Sequence, residues 1–149
     1  MGRSILGFLA GAIVAMIVIT AVEGLSSLMH PMPEGMDPRN TQQVREFVAT
    51  LPPSAFVMVI LAWSLGALAG GWLAGRIAGR SAGVHGMTVG LLLMLGAIVN
   101  MALIPGHPAW AWVCGILLPP AFGYLGGWLG RTARPARPDA TAGAAPVQG

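Results

Sequence analysis

The stretch "AMIVITAVEGLSSLMHPMPEGMDPRN", residues 15–40, carries the side chains best suited to chemistry. Thr20, Glu23, Ser27 and His30 are spaced by three, four and three, which on a helix places them on one face, with Ser26 beside them. Farther along, Asn100 is the one strongly polar residue of an apolar segment, and His107 follows it in a turn. Polar side chains within hydrocarbon usually face the bundle or a cavity. Thr20, Glu23, Ser27, His30 and Asn100, joined by His107, are therefore the expected lining of a polar pocket. Each has a plainer role as well. Serine and threonine hydroxyls bond back to helix carbonyls, and an asparagine can bridge two helices. Glu23 can simply mark where the helix meets water: it stands about 27 Å along the helix from Ile5, against a hydrocarbon thickness of about 30 Å.

Other chemistries find less support. Met29, His30, Met32 and Met36 form a cluster in which soft ligands could meet copper(I), but methionines in an apolar loop more often cover helix ends. The chain has no H-E-x-x-H, G-x-S-x-G or Cys-x-x-Cys motif and no phosphate-cradling loop. An enzyme is not expected, nor is a cofactor. The single cysteine, Cys114, sits in an apolar segment and reads as a small buried residue.

The elements that position these groups follow from composition. Of 149 residues, 55% are hydrophobic and only 9% charged, where a soluble domain carries about 25% charged residues. So few charges cannot coat a globule in water, and the fold class expected is an all-α membrane protein. Four segments reach the required length of about 20 mostly apolar residues: about 5–29, 54–77, 84–104 and 109–129. They make a four-helix transmembrane domain over 1–131, with 132–149 as a disordered cytoplasmic tail rich in Pro, Ala and Gly. The uncharged run from Ser4 to Val22 is longer than a signal-peptide core and reads as a retained helix. Between the first two spans, Val44, Phe47, Val48 and Leu51 recur at helical spacing. They predict a short amphipathic helix over about 38–51, with Asp37 as its cap and Pro38 in its first turn.

All the basic charge is arginine, giving a net charge of +3. Arg3, Arg76, Arg80, Arg131, Arg134 and Arg137 fall on one side of the spans, and only Arg39 and Arg45 on the other. The positive-inside rule then puts both termini in the cytoplasm and the amphipathic helix outside. The arginines suit lipid headgroups rather than nucleic acid.

The spans are rich in closely spaced glycines: Gly66-xxx-Gly70, Gly71-xxx-Gly75 and Gly123-xxx-Gly127. Small residues at this spacing let helix backbones approach. Packing within one bundle is the simpler use. Glycine on more than one face of the second span also favours a homo-oligomer. Similar stretches at Gly70 and Gly126, at Gly11 and Gly96, and the His-Pro pairs at 30–31 and 107–108 suggest two tandem hairpins in the same orientation.

The segments "PMPEGMD", "LGALAGGWLA", "NMALIPGHPAW" and "PPAFGYLGGWLG" together resemble a family of small four-helix bacterial membrane proteins to which no activity is assigned. The resemblance covers most of the chain to about Arg131. It implies a bacterial inner-membrane setting and no mechanism. Two functions stay open: an accessory or structural protein acting through its glycine faces and outer helix, or a small channel or transporter using the pocket around Glu23. The prolines Pro119-Pro120 are the strongest sequence argument for the second, because they free backbone groups near mid-span.

Overall fold

In this computed structural model residues 2–79, 81–104 and 106–132 are described. They form five helices: α1 (Gly2–Met29), α2 (Thr41–Thr50), α3 (Pro53–Ala78), α4 (Ala82–Leu103) and α5 (Ala109–Thr132). The fold is all-α, and α1, α3, α4 and α5 are each long and apolar enough to cross a membrane. The expected tail lies outside the described residues apart from Thr132, at the end of α5. The long helices overrun the apolar segments by a few residues because polar residues continue a helix past the hydrocarbon, as Gly2, Arg3 and Ser4 do at the start of α1.

In the bundle α3 touches α1, α4 and α5, and α4 touches α1, α3 and α5, while α1 and α5 do not meet. The four helices therefore form a rhombus with α3 and α4 on its short diagonal. Its core is small-residued: Ala15, Ile19, Ala67, Ala74, Val89 and Leu93, with Phe8, Trp63 and Phe122 packed on it. Lipid tails are as apolar as leucine, so close van der Waals contact holds such helices together in place of a hydrophobic drive. On the outside, α1 exposes Ile5, Leu6, Leu9, Ile13, Met16 and Ile17.

The glycines explain the tightness. Gly66 and Gly70 of α3 face α1: a Cβ at Gly70 would stand 2.9 Å from Ala15 Cβ and run into the Gly11 carbonyl. Gly71 and Gly75 face α5, where added Cβ atoms would stand 3.0 Å from Gly123 Cα and 2.7 Å from Gly127 Cα. Gly123 and Gly127 also receive α4, at Gly86 and Gly90. All six glycines expected to pack helices do so within one chain. The hairpins α1–α3 and α4–α5 run in the same sense, but the quoted sequence matches do not occupy equivalent contacts. Gly70 meets Gly11, whereas Gly126 meets Leu68 and Trp72 of α3, and Gly96 meets Trp63.

The short helix is α2, at one end of the bundle. It spans Thr41–Thr50 rather than 38–51, and its cap is Asn40 rather than Asp37. The Asn40 side chain accepts from the Gln42 and Gln43 amides. Asp37 closes the preceding turn instead, its Oδ1 accepting from the Arg39 amide at 2.9 Å and its carbonyl from the Asn40 amide at 3.0 Å. An Asp followed by Pro serves a turn as well as a cap, and here the turn wins. Pro52, extended at φ −69° and ψ 157°, passes the chain into α3 with Pro53 at its first position. Gly106, at a φ of 117° that a side chain rarely adopts, turns the chain between α4 and α5 beneath Val48 of α2.

A polar chamber at the α2 end as the candidate functional site

Where α2 lies over the bundle, a chamber of about 220 Å³ opens. Its polar lining is Glu23, Ser26, Ser27 and His30 from α1 and its end, Asn100 from α4, and His107 from the following turn. Its apolar lining is Phe47, Val48 and Leu51 from above, and Ala55, Phe56, Val59 and Ile104 at the sides. Five of the six expected pocket residues meet there. Thr20 does not line it and is exposed. The reason is rotational. The stripe that α1 buries runs Gly7, Gly11, Ala15, Ile19. At about 100° per residue, Ser26 lies about 20° from Ile19 and Glu23 about 40°, but Thr20 about 100°.

Glu23 is held rather than free. Trp63 of α3 donates its indole Nε1–H to Glu23 Oε1 at 3.1 Å. The far edge of that indole reaches α4, where a Cβ at Gly96 would stand 2.9 Å from Trp63 Cζ3. One tryptophan thus spans from α1 to α4, and the glycine at 96 leaves room for its ring edge. A buried indole N–H needs an acceptor, and Glu23 is the acceptor it finds. Ser27 takes its plainer role, its hydroxyl donating to the Glu23 carbonyl at 2.9 Å.

Both chamber histidines are oriented by backbone carbonyls. His107 Nδ1 lies 2.8 Å from the Ile104 oxygen, and His30 Nδ1 lies 3.3 Å from the Ser26 oxygen. A carbonyl only accepts, so Nδ1 carries the proton in each ring. In the neutral rings Nε2 is then an acceptor. His30 Nε2 lies 3.4 Å from the Ser54 hydroxyl. His107 packs edge-on to Phe56, with ring centroids 5.6 Å apart.

Of the residues in the copper alternative, His30 has the Ser26 oxygen beside Nδ1 and the Ser54 hydroxyl beside Nε2. Met29 and Met32 are exposed, and Met36 is half-buried. Among the described residues no group of three or more His, Cys, Asp or Glu side chains is placed to hold a metal ion.

Below the chamber the bundle narrows. Phe56, Val59, Asn100 and His107 also line a second space of about 20 Å³, whose other walls include Trp63, Met101, Cys114, Gly115 and Pro119. That is room for about one water. Deeper still, Val89 is fully buried and the glycine contacts bring backbones together. Ser64 is the only buried polar side chain among the described residues, and its hydroxyl has no partner. Pro119 and Pro120 do not break α5, which runs unbroken from Ala109 to Thr132. They do strip the Gly115 and Ile116 carbonyls of their usual helical donors.

The chain matches no protein-family model, no curated protein and no solved structure.

Proposed function

We propose that this chain is an accessory protein of the bacterial inner membrane, with both termini in the cytoplasm, that binds a small ligand in an outward-facing chamber. The observation that carries this reading is the Glu23 carboxylate, fixed by Trp63 at the wall of a chamber that α2 covers. The arginine asymmetry and the resemblance to small bacterial four-helix membrane proteins support the setting. Trp110 near one end of the bundle, and Trp72 and Trp128 near the other, are exposed, as interfacial anchors are. Membrane lipids would cover the outer face of α1.

A binding protein fits better than a conduit. A path across the bundle would have to pass the one-water space and then the glycine contacts, where backbone meets backbone. Among the described residues no helix is broken at mid-span to line it. Both glycine faces of α3 are filled within the chain, so the homo-oligomer expected from the sequence has to be built on other faces.

Ion and small-solute flux into liposomes containing the full chain tests this. The expected leak equals that of empty liposomes. A flux above that level, abolished by Glu23→Gln, would make the chain a transporter or channel instead.

A further inference from the structure

Resting on the chamber reading above, we infer that the ligand is an organic ammonium: a group that is both positively charged and a hydrogen-bond donor, attached to a compact apolar body. The charge comes first. Among the described residues Glu23 is the only formally charged side chain lining the chamber, and one of its oxygens is already engaged by Trp63. Around the same end stand Glu34, Asp37 and Glu46 against Arg39 and Arg45, so the approach is net acidic with the histidines neutral. Such a field draws cations in and turns anions away.

Donor and acceptor bookkeeping narrows the class further. Glu23 accepts only, and His107 offers Nε2 as an acceptor because Nδ1–H is spent on the Ile104 carbonyl. Asn100 and Ser26 can each accept or donate, so the one charged group of the wall, Glu23, decides the preference. A primary ammonium brings three N–H donors to such a wall, whereas a quaternary ammonium brings charge and no donor. Size sets the body. An engineered cavity of about 150 Å³ holds benzene, so 220 Å³ takes one ring and a short amine arm. Phe47, Phe56 and Val59 supply the apolar wall for that ring.

The ammonium could belong to a free amine or to the headgroup of a neighbouring phosphatidylethanolamine, and the test separates these. The full chain is placed in nanodiscs of phosphatidylcholine and phosphatidylglycerol and titrated calorimetrically with 2-phenylethylamine, its N-trimethyl derivative and 2-phenylethanol. The primary amine is expected to bind at least tenfold more tightly than either analogue. In Glu23→Gln that preference over the alcohol should vanish.

Equal binding of the trimethyl derivative or of the alcohol to the unaltered chain overturns the inference, and this comparison needs no variant to fold. Repeating the titration with phosphatidylethanolamine in the discs identifies the source. Unchanged affinity assigns the chamber to a free amine, and a tenfold loss assigns it to the lipid headgroup; both keep the ammonium. In the same discs, Ser26→Cys in a Cys114→Ser chain is exposed to a charged thiol reagent. Labelling without amine binding leaves the chamber open and overturns the ammonium assignment alone. Neither labelling nor binding overturns the chamber reading with it.

Discussion

Replacing Gly71 by alanine adds one methyl group at the seam between α3 and α5. The new Cβ would stand 3.0 Å from Gly123 Cα and closer still to the Gly123 carbonyl oxygen. Both are backbone atoms that no rotamer change can move. Ordinary contact is regained only if the helices part by roughly 1 Å, and a gap of that size forfeits up to about half of the dispersion attraction along the seam. Overpacking of this kind costs about 1–3 kcal/mol. The helix also gains up to about 1 kcal/mol from alanine's helix preference. At about 3 °C per kcal/mol for a chain of this size, the melting temperature should therefore fall by about 3–9 °C below that of a glycine-to-alanine change that meets nothing. Gly24→Ala is the matched control, since a Cβ there meets nothing within 4 Å. Alanine also favours helix over glycine by up to about 1 kcal/mol, so this variant should melt no lower than the parent. The assay is thermal unfolding in detergent followed by the near-ultraviolet circular dichroism of the tryptophans. A Gly71→Ala protein that melts with or above the Gly24→Ala protein would refute the backbone-to-backbone seam, and the closed floor beneath the chamber with it.

Three further experiments probe the hydrogen bond to Glu23, the buried Ser64 hydroxyl and the cap of α2. Trp63→Phe keeps a ring but removes the donor to Glu23. With Glu23→Ala in a double-mutant cycle, the pair should show a coupling of about 1–2 kcal/mol in the same melt, and strict additivity would mean that the hydrogen bond does not hold the carboxylate. Ser64→Ala removes a hydroxyl that is 3% exposed and has no partner. It should stabilise the chain by about 1 kcal/mol, because an unsatisfied buried polar group is a cost. A lower melting temperature would show that the hydroxyl is engaged by α5, whose Gly115 and Ile116 carbonyls lie level with it in the register that sets Gly71 against Gly123. Asn40→Ala should weaken α2 by about 1 kcal/mol, read as faster amide exchange over Thr41–Thr50, and Asp37→Ala should affect that exchange less.

The four long helices were legible in the sequence because hydropathy over about 20 residues reports the one constraint that lipid imposes everywhere. The glycine pairs were legible as packing sites for a similar reason: their spacing is a property of one helix alone. What escaped depends on two helices at once. Helical spacing grouped Thr20 with Glu23, but which side of α1 faces inward is fixed by its contact with α3, and that turns Thr20 outward. Trp63 was not singled out beside Glu23, since 40 residues separate the two. A signal was nevertheless present. An indole N–H deep in an apolar span must find an acceptor, and Glu23 was the one carboxylate within any span. The role of Gly96 follows only once the indole is in place. At α2 Asp37 was the expected cap, but the Asp37-Pro38 turn engages it and Asn40, three residues on, caps the helix instead.

The central claim is a chamber open on one side of the membrane and closed on the other. The direct measurement is sided labelling of Ser26→Cys, in a Cys114→Ser background, with a membrane-impermeant thiol reagent in vesicles of known orientation. Rapid labelling is expected from the face opposite the termini and none from the face that carries them. Labelling from the terminal face, or equally from both, would contradict it.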